Sequence, residues 1–192
     1  MSTLMRRKGA PNVNTRNNAN NTNINGNIVD FFQVKSSRNI QWSHATNSSY
    51  KLAVAMSNSC HMIEADILMG TCPSHPSKVP IMAHPPFTKS DLSFEDFILS
   101  IHNANQALCQ HLKKGVKLDF KDPESVVPCL KFLKSTQFDA PVFINADIWR
   151  GNGGKKCEFV PKDFFNACKL YTPSAAVSVG WKVGKSIKLL FK

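Results

Sequence analysis

"KLDFK", residues 117–121, is the stretch whose reading decides the fold. In a β-strand successive side chains point to opposite faces, so Lys117, Asp119 and Lys121 share one side while Leu118 and Phe120 share the other. Taken alone, the pattern also suits a solvated edge strand. Its flanks, Gly115 and Val116 before and Asp122 and Pro123 after, read instead as a strand inside an α/β protein, covered on both faces. A covered strand with three charges on one side needs a polar interior to receive them.

Similar short apolar runs recur along the chain: "NIQWSHA", "HMIEADILMG", "VPIMAHPP", "PVFINADIW" and "AAVSVGW". Between them lie segments of helical spacing, "SSYKLAVAMSNS", "DPESVVPCLKFLKST", "VPKDFFNACKLY" and "SDLSFEDFILSIHNANQALCQHLKK". The last sets apolar side chains at 94, 97, 98, 101, 104 and 108, with Ser90 as the expected N-cap. Strands alternating with helices predict parallel strands under a helical layer.

The polar residues choose among α/β folds. His44 follows the first expected strand, Glu64 and Asp66 lie on the second, and His84 follows the third. Lys117, Asp119 and Lys121 belong to the fourth strand, Asn145 and Asp147 to the fifth. A (β/α)8 barrel builds its site from the C-terminal ends of several strands at once. A doubly wound sheet gathers ligands at one switch point behind a Gly-rich turn, and the chain holds no GxGxxG. The expected fold is therefore a TIM-type (β/α) barrel over residues 27–181. Only six of the eight strands can be counted, so the barrel is expected to be C-terminally incomplete, through an incomplete gene model or an alternative C-terminus.

The remaining segments set bounds. The chain of 192 residues, 42% of them hydrophobic, suits one globular domain. Residues 1–26 form an Asn-rich basic head that is expected to be disordered, and 182–192 a basic tail of undecided structure. No apolar run reaches the roughly 20 residues of a membrane helix, and the N-terminus has no secretory signal core, so a complete chain of this sequence would stay in the cytoplasm. The net charge of +11 is concentrated at the two ends and accompanies no nucleic-acid-binding motif, which argues against specific nucleic-acid binding. The six cysteines are scattered without a CxxC pair, so a zinc site is not expected, and reduced core thiols and disulfides both remain open.

Within a barrel, Glu64, Asp66 and Asp119 would repel one another. A hard divalent cation, Mg²⁺ or Ca²⁺, resolves that repulsion; Lys117 and Lys121 are the metal-free alternative. His44 and His84 then flank the cluster as an acid–base couple suited to displacement at phosphorus. Asn145, Asp147, Lys117 and Trp181 are the expected lining of a substrate pocket.

The ordered motifs "WSHATNS", "MIEADI", "PIMAHPP", "GVKLDFK", "PVFINADI" and "AVSVGW" resemble the menorin family, over about residues 27–181. That family is distantly similar to glycerophosphodiester phosphodiesterases and spider-venom phospholipase D toxins. The resemblance implies His44 and His84 as the catalytic pair, Glu64, Asp66 and Asp119 as metal ligands, and Lys121 as the lysine beside the phosphate. It implies a phosphodiester or phospholipid substrate, or alternatively a non-catalytic role in the extracellular space with cell-surface protein partners in tissue and neurite patterning. Ala45-Thr46 follows His44 where the phosphodiesterases carry Arg-Gly, and Pro85-Pro86 follows His84.

Overall fold

The computed structural model describes residues 27–184. The sequence-based expectations for residues 1–26 and 185–192 lie outside the described residues. The strands are β1 (Trp42–Ser43), β2 (Met62–Gly70), β3 (Val79–Met82), β4 (Gly115–Phe120), β5 (Val142–Arg150) and β6 (Ala176–Lys182). The helices are α1 (Ile28–Phe31), α2 (Ser49–Ser57), α3 (Phe94–Gln106), α4 (Val126–Thr136) and α5 (Pro161–Tyr171). The sheet runs in the order β1-β2-β4-β5-β6, every pair on that path parallel. Among the described residues β1 and β6 end the sheet and do not meet.

Helices α2 to α5 pack each on the next, forming a single layer. Beneath them Ile63, Ala65 and Ile67 of β2 align with Val116, Leu118 and Phe120 of β4 and with Val142, Ile144, Ala146 and Ile148 of β5. Leu118 and Phe120 are thus buried under the helices, as the alternation in 117–121 predicts. The opposite face starts apolar and turns polar along the strands. At its N-terminal end Phe31, Phe32, Ile40 and Met62 form a separate cluster with Ala140, against which Phe143 packs. Further along come the acidic and amide side chains. A mostly parallel sheet with one apolar face under helices and one polar face is compatible with a barrel-like α/β fold.

Helices α1, α2 and α3 start where the side chains of Asn27, Ser48 and Ser93 accept a free N–H. The Ser93 hydroxyl accepts from Asp96 N–H at 3.0 Å and donates to the Asp96 carboxylate at 2.6 Å, a reciprocal cap at the start of α3. The cap is therefore Ser93 and not Ser90, whose hydroxyl accepts from Leu92 N–H at 3.1 Å within the preceding turn. Phe94, Phe97, Ile98 and Ile101 form the buried stripe. The helix stops at Gln106, which leaves Leu108 exposed, and the buried polar residue is Asn105, tied to the Lys114 backbone by bonds of 2.9 and 2.8 Å.

One strand departs from expectation. β3 lies antiparallel to β2, with Ile67 opposite Met82 and Gly70 opposite Val79. Only residues 71–78 join the two strands, and a parallel crossover needs about a dozen or more. β2 overshoots its parallel neighbour β4, and β3 folds back along the overhang. Ala83 N–H then bonds Asp66 carbonyl at 2.9 Å, which returns the chain to the level of the acidic cluster just before His84.

All six cysteines are free thiols, and Cys60, Cys72, Cys129 and Cys168 are buried. Burial pushes the Cys168 thiol up to about 11 and also raises Cys129 well above its ordinary range, so both stay protonated and inert near neutral pH. No helix of the described residues is long and apolar enough to cross a membrane.

Candidate metal centre

The register of the parallel strands assembles the site. Glu64 lies opposite Lys117, and Asp66 opposite Asp119. Asp119 faces Asn145, and Asn145 faces Ser178. Asp66, Asp119, Asn145 and Ser178 thus form one row across four strands on the polar face. Carboxylate oxygens of Glu64, Asp66 and Asp119 all lie within 4.8 Å of one another. Glu64 and Asp66 are buried, at 3% and 6% exposure.

Each carboxylate has partners. Lys121 Nζ stands 2.9 Å from Asp66 Oδ1 and 2.8 Å from Asp119 Oδ2. Burial pulls the Lys121 ammonium down, but hydrogen bonds and charges from Asp119 and Asp66 outweigh it, and the net shift is upward. Lys117 Nζ is 4.0 Å from Glu64 Oε1. Asn145 donates to Asp119 at 2.8 Å and accepts from the Ser178 hydroxyl at 2.6 Å, so that Ser178 fixes the amide that fixes the carboxylate.

His44 bonds a carboxylate of this cluster directly, whereas His84 shares a cavity wall with Lys121. His44 Nδ1 is 2.7 Å from Glu64 Oε2, and the same oxygen accepts Ala45 N–H at 2.7 Å. Ala45 holds a left-handed φ of 52°, which turns its N–H toward Glu64 at a conformational cost of about 1–2 kcal/mol. His84 Nδ1 lies 2.7 Å from Pro85 carbonyl. A carbonyl only accepts, so neutral His84 carries its proton on Nδ1, and Nε2 is left with the lone pair. The same reasoning, with Glu64 as acceptor, gives His44 the same tautomer.

A cavity of about 240 Å³ adjoins the cluster, lined by His84, Phe120, Lys121, Asp147, Phe159 and Lys182 among others. Asp147 lies opposite Gly180, where any Cβ would collide with its carboxylate. Glycine there is what leaves the acid its room. Of the residues expected from the sequence, Trp181 alone stands apart from both cluster and cavity, its ring tilted against that of Trp149.

Two contributors escaped the sequence reading. One is Ser178, a lone hydroxyl in the apolar run "AVSVGW". The other is Asn47, whose amide donates to Asp66 Oδ2 at 2.8 Å and accepts Asp66 N–H at 2.9 Å. Its signal was its place three residues after His44. Asn47→Ala leaves a strand N–H and a carboxylate oxygen unpaired, which costs about 1–3 kcal/mol of stability in urea unfolding. If the carboxylates hold a divalent cation, the same substitution is expected to weaken its binding, because Asp66 loses the group that orients it.

The family pattern described as Menorin N-terminal domain matches residues 36–190, which include the whole cluster. The chain belongs to the menorin family. Protein FAM151B of Homo sapiens is 33% identical over 166 residues, a match covering 82% of this chain and 57% of that protein. This menorin-family chain therefore spans less than two thirds of that curated relative. No solved structure matches it.

Proposed function

We propose that the site is a divalent-cation-dependent phosphodiesterase-type centre, a hydrolase or lyase acting on a phosphodiester such as a phospholipid headgroup, within a (β/α) barrel. The observation that carries this reading is the convergence of Glu64, Asp66 and Asp119 oxygens within 4.8 Å, with His44 bonded to one of them. Three hard oxygen donors of summed charge −3 fit Mg²⁺ or Ca²⁺, and these residues would hold it. When bound, such an ion supplies Lewis-acid polarisation of phosphoryl oxygens.

The chain's own groups supply the rest. His44, its Nδ1 pinned by Glu64, presents Nε2 to exchange a proton with the attacking or leaving oxygen. His84, pinned by Pro85 carbonyl, presents a second Nε2 at the cavity wall. Lys121, kept charged by its two carboxylates, offsets phosphoryl charge from the same cavity. Phe120 and Phe159 give that cavity an apolar wall against which the non-reacting part of a substrate can rest.

A second reading has its own observation. Lys121 already bridges Asp66 and Asp119, and with Lys117 it sets two ammonium groups against three carboxylates without any metal. On that reading the cluster is a structural anchor in a non-catalytic interaction protein. Turnover separates the two. Release of product from glycerophosphodiesters and lysophospholipids, with Mg²⁺ or Ca²⁺ present, is expected to fall about 10²–10⁴-fold in His44→Ala. Equal rates in wild type and variant would remove His44 from any mechanism, and absence of turnover in both would favour the anchor.

A further inference from the structure

We propose that the C-terminal rim of β5 and β6 is a docking surface for an anionic phospholipid bilayer. Trp149 and Trp181 are register partners with ring centroids 6.1 Å apart, and they remain 40% and 59% exposed. Val183 follows, 68% exposed. It packs where Gly151 leaves space, since a Cβ there would stand 2.8 Å from Val183 Cγ1 and 3.2 Å from Trp181 Cβ. Paired indoles beside an aliphatic tip suit the boundary between headgroups and acyl chains, where an amphipathic ring is satisfied on both sides.

Cations surround this apolar centre. Arg150 lies opposite Lys182 and donates to Gly154 carbonyl at 2.8 Å, and the next two residues, Lys155 and Lys156, are exposed. The neighbouring acids are Asp147 and Glu158, the latter 3.8 Å from Lys182. Four cations against two acids leave an excess of positive charge, complementary to phosphatidylserine or phosphoinositide headgroups. The loop is tied down as well: Gly151 N–H bonds Lys182 carbonyl, and Gly184 N–H bonds Asn152 carbonyl, each at 3.1 Å. Indoles and cations are thus presented as one preformed surface, which lowers the ordering cost of binding. A nucleic acid would engage the cations but make no use of Val183.

Lys182 and Asp147 also line the cavity described above, so docking by this rim sets the cavity mouth at the bilayer surface. The surface does not depend on turnover, and its test needs none. The full chain is mixed with vesicles of phosphatidylcholine, with and without phosphatidylserine, and followed by co-sedimentation and tryptophan fluorescence. Binding is expected on the anionic vesicles alone, weakening as salt rises. Brominated acyl chains are expected to quench Trp149 and Trp181. Trp42→Phe should leave that quenching intact, because Trp42 packs on Phe143 at the far end of the strands, roughly 20 Å away. Lys155→Gln with Lys156→Gln, both at exposed positions, should weaken binding about 30-fold. The proposal is overturned by absence of anionic-vesicle binding, by wild-type affinity in the double lysine variant, or by quenching that vanishes with Trp42. A concentration-dependent dimer that protects both indoles, or tighter binding to duplex RNA than to vesicles, overturns it equally.

Discussion

Asp66→Asn is expected to abolish the divalent-cation binding proposed for this site, so that calorimetry with Mg²⁺, Ca²⁺ and Mn²⁺ gives no saturable heat. Asp66 shares β2 with Glu64 and lies directly opposite Asp119 on β4. One oxygen meets Lys121 at 2.9 Å and the other meets Asn47 at 2.8 Å. An amide keeps the shape and can hold the Asn47 contact after a flip, so the fold is retained. It cannot keep the charge. Hard cations are bound by charge and oxygen count, and losing one of three carboxylates is expected to lower affinity by at least about 100-fold. Unchanged binding in the variant would take Asp66 out of the site, and the phosphodiester reading with it. The result is independent of turnover, which matters because a cation could be held without chemistry.

Lys121→Met has the larger effect on stability, and its size depends on whether a cation is present. The lysine side chain is 19% exposed and bonds two carboxylates that are 8% and 13% exposed. Methionine fills the volume but leaves those charges facing each other. In chelator the variant is expected to lose about 3 kcal/mol in urea unfolding, the usual cost of breaking a buried ion pair by removing one partner. Added Mg²⁺ or Ca²⁺ should restore much of that loss, since a ligand bound only by the folded state stabilises it. An equal deficit with and without cation would show that the cluster does not accept one.

The pH dependence of the same pair carries a definite sign. The folded-state pKa of Lys121 is raised above the ordinary 10.5, because Asp119 and Asp66 outweigh its burial. Its contribution is therefore fully present below the ordinary value and disappears as pH climbs through the raised one. The stability gap between wild type and Lys121→Met should be flat from neutral pH to about 10 and close only above it. Equilibrium unfolding over that range measures the gap directly.

Particular elements show how far the chain could be read without coordinates. Alternation in 117–121 was enough to put Leu118 and Phe120 in the core and the charges on the other face. The same two-residue spacing in Glu64-x-Asp66 and Asn145-x-Asp147 placed these side chains on the inner side of their strands, and the paired motifs carried the menorin resemblance. Side-chain direction in a strand is a local property, which is why it was legible. The start of α3 was misplaced by three residues because Ser90 and Ser93 are both competent caps, and only the turn preceding the helix decides which one is free.

What local pattern could not supply was register and return. That Asp66 meets Asp119, and Asp119 meets Asn145 and then Ser178, depends on how far each strand slides past its neighbour. A one-residue slip would turn every one of these side chains away. That Ala83, just before His84, comes back to Asp66 after an antiparallel strand depends on a connection too short for a crossover. Asn47 and Ser178 became visible only through their partners. So alternation along single strands named most of the chemical groups, and packing between strands decided which of them touch.

Each chemical group is placed on a face by its own strand, but the distances between groups on different strands are set by the sheet as a whole. That division is physical: the direction of a side chain is a matter of one residue's backbone, whereas a shared ion or proton needs atoms from several strands held a few ångströms apart.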